Sequence, residues 1–114
     1  MSNVSGKSRE NFLVNSDFEL NSKQIKSFYN LITRRGINKE PIAYLLNRKE
    51  FWSIKLGVNK DVLIPRPETE IIIEQVLELT KNKNKLNFLD IGVGSGCLLL
   101  SILKEKKSFY GTGI

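Results

Sequence analysis

Three glycines stand at every second position in Gly92-Val93-Gly94-Ser95-Gly96, between an apolar run at 86–91 and another at 97–106. Glycine at this density opens backbone conformations closed to other residues and lets a ligand approach the main chain. The two flanks differ in character. Residues 86–91 have the length of a strand, whereas 97–106 is apolar nearly all round through Leu98, Leu99, Leu100, Ile102 and Leu103, as in a buried helix. Residues 108–114, with Phe109, Tyr110, Thr112 and Ile114, predict a second strand. Strand, glycine loop, helix and strand in this order predict the α/β class and the opening βαβ of a doubly wound parallel sheet, whose ligands sit outside the carboxyl ends of the strands. A nucleotide-type domain of this class usually needs about 150 residues, so the motifs ask for more chain than the 114 residues present.

Asp90 falls at the carboxyl end of the first strand, directly before the loop. A nicotinamide fingerprint, G-x-G-x-x-G, would need glycine where Cys97 stands, and a P-loop would need a lysine after the last glycine, which is absent. What remains is D-x-G-x-G-x-G. This pattern suits a ligand with a ribose and an amino-acid end, and S-adenosylmethionine is such a ligand: backbone N–H groups can meet its carboxylate and a nearby acid its ammonium. The same residues could also form a plain strand-to-helix turn, but with a strand before and a helix after them the cofactor reading is the favoured one. Cys97, just inside the helix, reads as a core thiol.

Upstream, the periodicity predicts a short helix over 8–14 that ends before Asn15-Ser16-Asp17, and a stronger one over 22–35. Asn21 can cap the latter, Gln24 follows three residues on, and Gly36 offers a left-handed stop. Its stripe of Ile25, Phe28, Tyr29 and Ile32 lies on one face and has to pack against something, with few partners nearby. Pro41 opens a short helical piece to Leu46. Residues 51–58 then alternate, Val62-Leu63-Ile64 follows, and Gly57 with Asn59-Lys60-Asp61 supplies turn chemistry, which predicts a β-hairpin or two short strands. Phe51 and Trp52 read as hairpin packing rather than a stacking platform. Pro65-Arg66-Pro67 breaks the strand, and Glu68 and Glu70 open a helix to about Thr80 with Ile72, Ile73, Val76, Leu77 and Leu79 on its buried side. As local chemistry, Pro65-Arg66-Pro67-Glu68-Thr69 is a helix start. Arg66, held between two prolines, would also suit an anion.

Composition excludes several classes. One cysteine permits no internal disulfide framework, and zero histidines remove the commonest metal ligand and general base. No apolar run approaches the roughly 18–20 residues of a bilayer span, and residues 1–6 lack the apolar stretch of a secretory signal, so a cytoplasmic location is expected. The net charge of +6 sits entirely in residues 1–60, with eleven Lys/Arg against five Asp/Glu, while 61–114 holds seven of each. No stacking aromatics interleave the basic residues, so a solvated surface accounts for them as readily as an acidic partner does, and direct nucleic-acid binding is not expected.

Four segments in order carry a resemblance: Glu40-Pro41-Ile42-Ala43-Tyr44-Leu45, Lys49-Glu50-Phe51-Trp52, residues 62–70 (Val-Leu-Ile-Pro-Arg-Pro-Glu-Thr-Glu), and residues 89–97 (Leu-Asp-Ile-Gly-Val-Gly-Ser-Gly-Cys). Together they resemble the peptide chain release factor N5-glutamine methyltransferases, and Gly6-Lys7-Ser8-Arg9, Asp17 and Gln24 fit that family's helical N-terminal part. The resemblance implies a partial helical, release-factor-binding domain over 1–48, a β-hairpin linker over 49–66, and over 67–114 the start of a Rossmann-like class I methyltransferase sheet. It implies S-adenosylmethionine as methyl donor and the glutamine side-chain amide of the release factors' Gly-Gly-Gln motif as acceptor, in a monomer. By position, Asp90, Gly92, Val93, Gly94, Ser95 and Gly96 would bind the cofactor, and Pro65, Arg66, Pro67, Glu68 and Thr69 would line the same pocket. The family's Asn-Pro-Pro-Tyr motif, which holds the substrate amide, is absent from these residues, and Asn47 stands where the family usually has glycine. The expectation is therefore a piece of the enzyme, truncated at both ends and without catalysis of its own. A non-catalytic remnant or binding module, and a methyltransferase acting on a nucleic-acid amino group, are the alternatives.

Overall fold

The computed structural model describes residues 1–15 and 17–114, as a mixture of helices and two small sheets. The chain divides into two compact units, residues 1–46 and 47–114.

The first unit is helical: α1 (Ser2–Ser5), α2 (Arg9–Val14), α3 (Ser22–Gly36) and α4 (Ile42–Leu45). Ser8 caps α2 by accepting the Asn11 N–H, and the helix ends at Val14; Ser16, part of the break expected there, lies outside the described residues. α3 starts with a complete capping box, in which Asn21 Oδ1 accepts the Gln24 N–H at 2.9 Å and Gln24 Oε1 accepts the Asn21 N–H at 3.0 Å. Replacing Asn21 with alanine removes the Oδ1 acceptor of the Gln24 N–H, leaves the backbone N–H that Gln24 Oε1 accepts, and is expected to cost about 1 kcal/mol, measurable as a loss of far-ultraviolet helical signal at lower temperature.

The other end of α3 departs from expectation. Gly36 is helical, Ile37 continues the right-handed turn, and the left-handed residue is Lys39 (φ 56°). Arginines tie down the chain just beyond this end. Arg35 Nη1 donates to the carbonyls of Lys39 (3.3 Å) and Glu40 (3.2 Å), while Arg34 grips the Glu40 carboxylate through Nε (2.8 Å) and Nη2 (2.5 Å). That guanidinium holds the Glu40 carboxyl below its ordinary range. The stripe of α3 is only partly covered: Phe28 is half-buried, but Tyr29 is 65% exposed and Ile25 and Ile32 are exposed as well.

The second unit opens with Asn47 at φ 51°, a left-handed position that glycine and asparagine tolerate best. A two-stranded antiparallel hairpin follows, β1 (Arg48–Phe51) and β2 (Ile54–Gly57), with Phe51 paired to Ile54. The turn is Trp52-Ser53, earlier than the Asn59-Lys60-Asp61 turn chemistry indicates, so Trp52 and Ser53 are not strand residues. Both have positive φ (46° and 56°), as a two-residue type I′ connection requires. Such turns favour Asn-Gly, and each non-glycine residue held there costs on the order of 1–3 kcal/mol unless its surroundings fix it. Residues 62–64 are a loop rather than a strand. A 3-10 turn (Pro67–Thr69) then leads into α5 (Glu70–Leu79). Of the expected buried face of α5 only Ile73 is fully enclosed; Val76 and Leu77 are half-buried, and Ile72 and Leu79 are exposed.

The remainder is β3 (Asn87–Asp90), α6 (Cys97–Glu105) and β4 (Tyr110–Gly113), a βαβ unit with β3 and β4 parallel and Phe88 opposite Gly111. Leu99, Ser101 and Ile102 of α6 are buried, but Leu100 is exposed, because two strands cover only one side of a helix that is apolar nearly all round. β4 lies close beneath its neighbours: a side chain at Gly111 would collide with Leu99, and one at Gly113 with Val93. Apart from Leu45 in the first unit, the buried apolar residues all lie in the second: Phe51, Leu56, Val58, Ile73, Leu99, Ile102 and Phe109.

Candidate functional site

The carboxyl end of β3 runs into the glycine loop, and all three glycines need their freedom there: Gly92, Gly94 and Gly96 have φ of 80°, 52° and 75°. The loop is pinned from one side by the end of β4. The Ile114 carbonyl accepts the Gly92 N–H (2.7 Å) and the Val93 N–H (3.1 Å), while the Ile114 N–H donates to Asp90 O (2.9 Å). Gly96 donates to Val93 O at 2.8 Å and closes the turn into α6. Two loop amides remain: those of Gly94 and Ser95 donate to no described residue. Ser95 Oγ is buried and likewise has no partner among them. Unmatched polar groups in a loop otherwise fully tied down mark where an external acceptor or donor fits.

A cavity of about 390 Å³ lies against this loop. Its walls bring together Asp90, Gly92, Val93, Gly94 and Ser95 from the loop and Pro65, Arg66 and Thr69 from the segment after the hairpin. Pro67 and Glu68 are exposed in the 3-10 turn and do not line it, and Gly96 serves instead as the N-terminal cap of α6. Leu63, Ile64, Cys97 and Leu98 also line the cavity and were not singled out from sequence as lining residues. For Cys97 a signal existed, since it follows the last glycine directly; for Leu63 and Ile64 the strand-like pattern concealed it. Pro65 is buried and Arg66 exposed, so the prolines carry a cation to the rim of the space that Asp90 also lines. The volume falls in the range of about 300–1,000 Å³ usual for small-molecule sites. Free amides, an acid and a basic rim residue could hold a small ligand that carries charged groups of both signs. Among the described residues no group of three or more Cys, Asp or Glu side chains could hold a metal ion, and no helix is long and apolar enough to cross a membrane.

Residues 1–46 match the family described as PrmC N-terminal domain. The chain is similar to the release factor glutamine methyltransferase of Caulobacter vibrioides, with 40% identity over 97% of this chain and 38% of that protein. The enzyme of the same name from Coxiella burnetii is 45% identical over 88% of this chain and 36% of its own length. The bifunctional methyltransferase of Rickettsia typhi is 37% identical over 92% of this chain and 24% of its own. The chain thus spans less than two-fifths of the length of these curated relatives.

Proposed function

We propose that this chain, which belongs by sequence to the release factor glutamine methyltransferases, supplies the cofactor-holding part of an enzyme that methylates the glutamine side-chain amide in the Gly-Gly-Gln motif of peptide chain release factors, in the cytoplasm. In this reading β3, α6 and β4 are the first elements of a Rossmann-like class I methyltransferase sheet, and residues 1–46 belong to the part that meets the release factor. The observation that carries it is the pair of amides at Gly94 and Ser95 that no described residue accepts, in a loop that lines a cavity together with Arg66 and Asp90.

Those amides would take the carboxylate of S-adenosylmethionine and Asp90 its ammonium. Pro65, Ile64 and Leu98 keep water from the apolar side. When bound, the cofactor supplies an electrophilic methyl group. Amide methylation is largely a matter of holding the acceptor in line, and the motif that does so in the family, Asn-Pro-Pro-Tyr, is not in these residues. The 114 residues alone are therefore expected to bind S-adenosylmethionine weakly, with Kd above about 100 μM, and to transfer no methyl group.

An amide-resolved NMR titration with millimolar S-adenosylmethionine tests the binding: Gly94 and Ser95 should shift first, and unmoved signals there would overturn the assignment. A radiolabelled methyl-transfer assay with release factor tests the second half, where turnover above the blank would show that the absent motif is dispensable.

A further inference from the structure

The tip of the hairpin is held from three directions. The Trp52 backbone N–H donates to Glu70 Oε1 at 3.0 Å, the Trp52 indole Nε1 donates to Glu105 Oε1 at 2.9 Å, and Lys104 Nζ donates to the Ser53 carbonyl at 3.1 Å. Glu70 is the first residue of α5, next to the cavity-lining Thr69, and Glu105 is the last residue of α6, whose first residues, Cys97 and Leu98, line the opposite wall. Trp52 and Ser53 sit in left-handed conformations that neither residue favours and that no glycine or asparagine in the turn relieves. A strained turn persists where the surroundings over-determine it, and these three bonds are the surroundings.

We infer that Trp52 is a positioning residue: by joining the start of α5 to the end of α6 it sets the separation of the two walls of the cavity. α6 is a rigid lever of two and a half turns, so a shift where Glu105 is held moves Cys97 and Leu98 at its other end. The inference takes this cavity to be the cofactor pocket proposed above, but its test uses no cofactor. Failure of the clamp and failure of the cofactor assignment are therefore separable.

Cys97 is the only cysteine and Trp52 the only tryptophan, so the wall and the clamp each carry a probe. In the full 114-residue chain, Glu105→Ala should raise the rate of Cys97 alkylation by iodoacetamide about fivefold, the order of shift caused by loss of one solvent-exposed, charge-assisted hydrogen bond. It should also move Trp52 emission to the red. Glu105→Gln, which keeps an acceptor oxygen, should restore both signals. Trp52→Phe keeps the backbone bond and an aromatic ring but loses the indole donor; it should alkylate as fast as Glu105→Ala, with no further gain when the two are combined. An unchanged Cys97 rate in Glu105→Ala, or a Glu105→Gln variant that behaves like it, overturns the inference. Circular dichroism of each variant establishes that a faster rate is not unfolding; a variant that has lost its helical signal is replaced by Lys104→Met, which removes the donor to Ser53 and is expected to open the same wall.

Discussion

Phe51→Ala is expected to leave the second unit largely unfolded at 25 °C. The ring is 2% exposed, at the end of β1, the largest of the fully buried side chains of the unit. Truncating a buried phenylalanine removes its transfer free energy and leaves a cavity, together about 3–5 kcal/mol. A unit of roughly 70 residues seldom has more than about 3–5 kcal/mol in total, so the loss consumes nearly all of it. Urea denaturation followed by Trp52 emission measures the effect. Leu63→Ala is the control: Leu63 is 71% exposed, and its truncation should change stability by less than about 0.5 kcal/mol. A Phe51→Ala protein within 1 kcal/mol of the parent, on the order of a surface substitution, would mean that the core lies elsewhere.

Gly111→Val sets two effects against each other. Valine suits a strand, and the β-propensity scale spans about 1 kcal/mol. Its side chain at 111, however, would collide with Leu99, whose own burial leaves it no room to turn aside, and would stand 3.2 Å from Leu103 Cδ1. Overpacking of this kind costs about 1–3 kcal/mol, so the steric term wins and the variant melts lower. Gly57→Val, at a strand position with nothing within 4 Å, should be neutral or stabilising. The two glycine variants also differ at the site. Moving β4 draws the Ile114 carbonyl away from Gly92 and Val93, so their amides should exchange with solvent faster in Gly111→Val and at the parental rate in Gly57→Val. Equal melting temperatures for the two variants would refute the close packing of β4 on α6.

The glycine loop, the helix after it and the flanking strands were legible because their signals are local: glycines where φ is positive, a helix apolar on most sides, short apolar runs. The capping box of α3 was legible for the same reason, since Asn21 and Gln24 satisfy each other three residues apart. The hairpin turn was not. Phe51-Trp52-Ser53-Ile54 contains no turn residue, and what holds it are acceptors and a donor at 70, 104 and 105, which no local window reports. Gly36 misled in the opposite sense: it stays helical, and the Ile37 and Glu40 N–H groups, not a left-handed glycine turn, reach the carbonyls of Thr33 and Arg34. At the site, the pattern of residues 90–96 suggested a ligand unaided, but the nearness of Pro65, Arg66 and Thr69 was expected only through resemblance. Nor could sequence tell which loop amides are taken by Ile114 and which stay free, since that depends on the end of β4.

The bond from Trp52 to Glu105 spans 53 residues of sequence, and that separation sets an order of events during synthesis. The hairpin leaves the ribosome first and finds only one of its three anchors when Glu70 follows. Its left-handed turn stays without its second carboxylate until α6 has been made in full. Translation at about 5–20 residues per second makes that interval a matter of seconds, long on the microsecond scale of hairpin formation. The turn therefore opens and closes many times before its latch arrives, and the last turn of α6 is the point at which the hairpin becomes committed to its native shape.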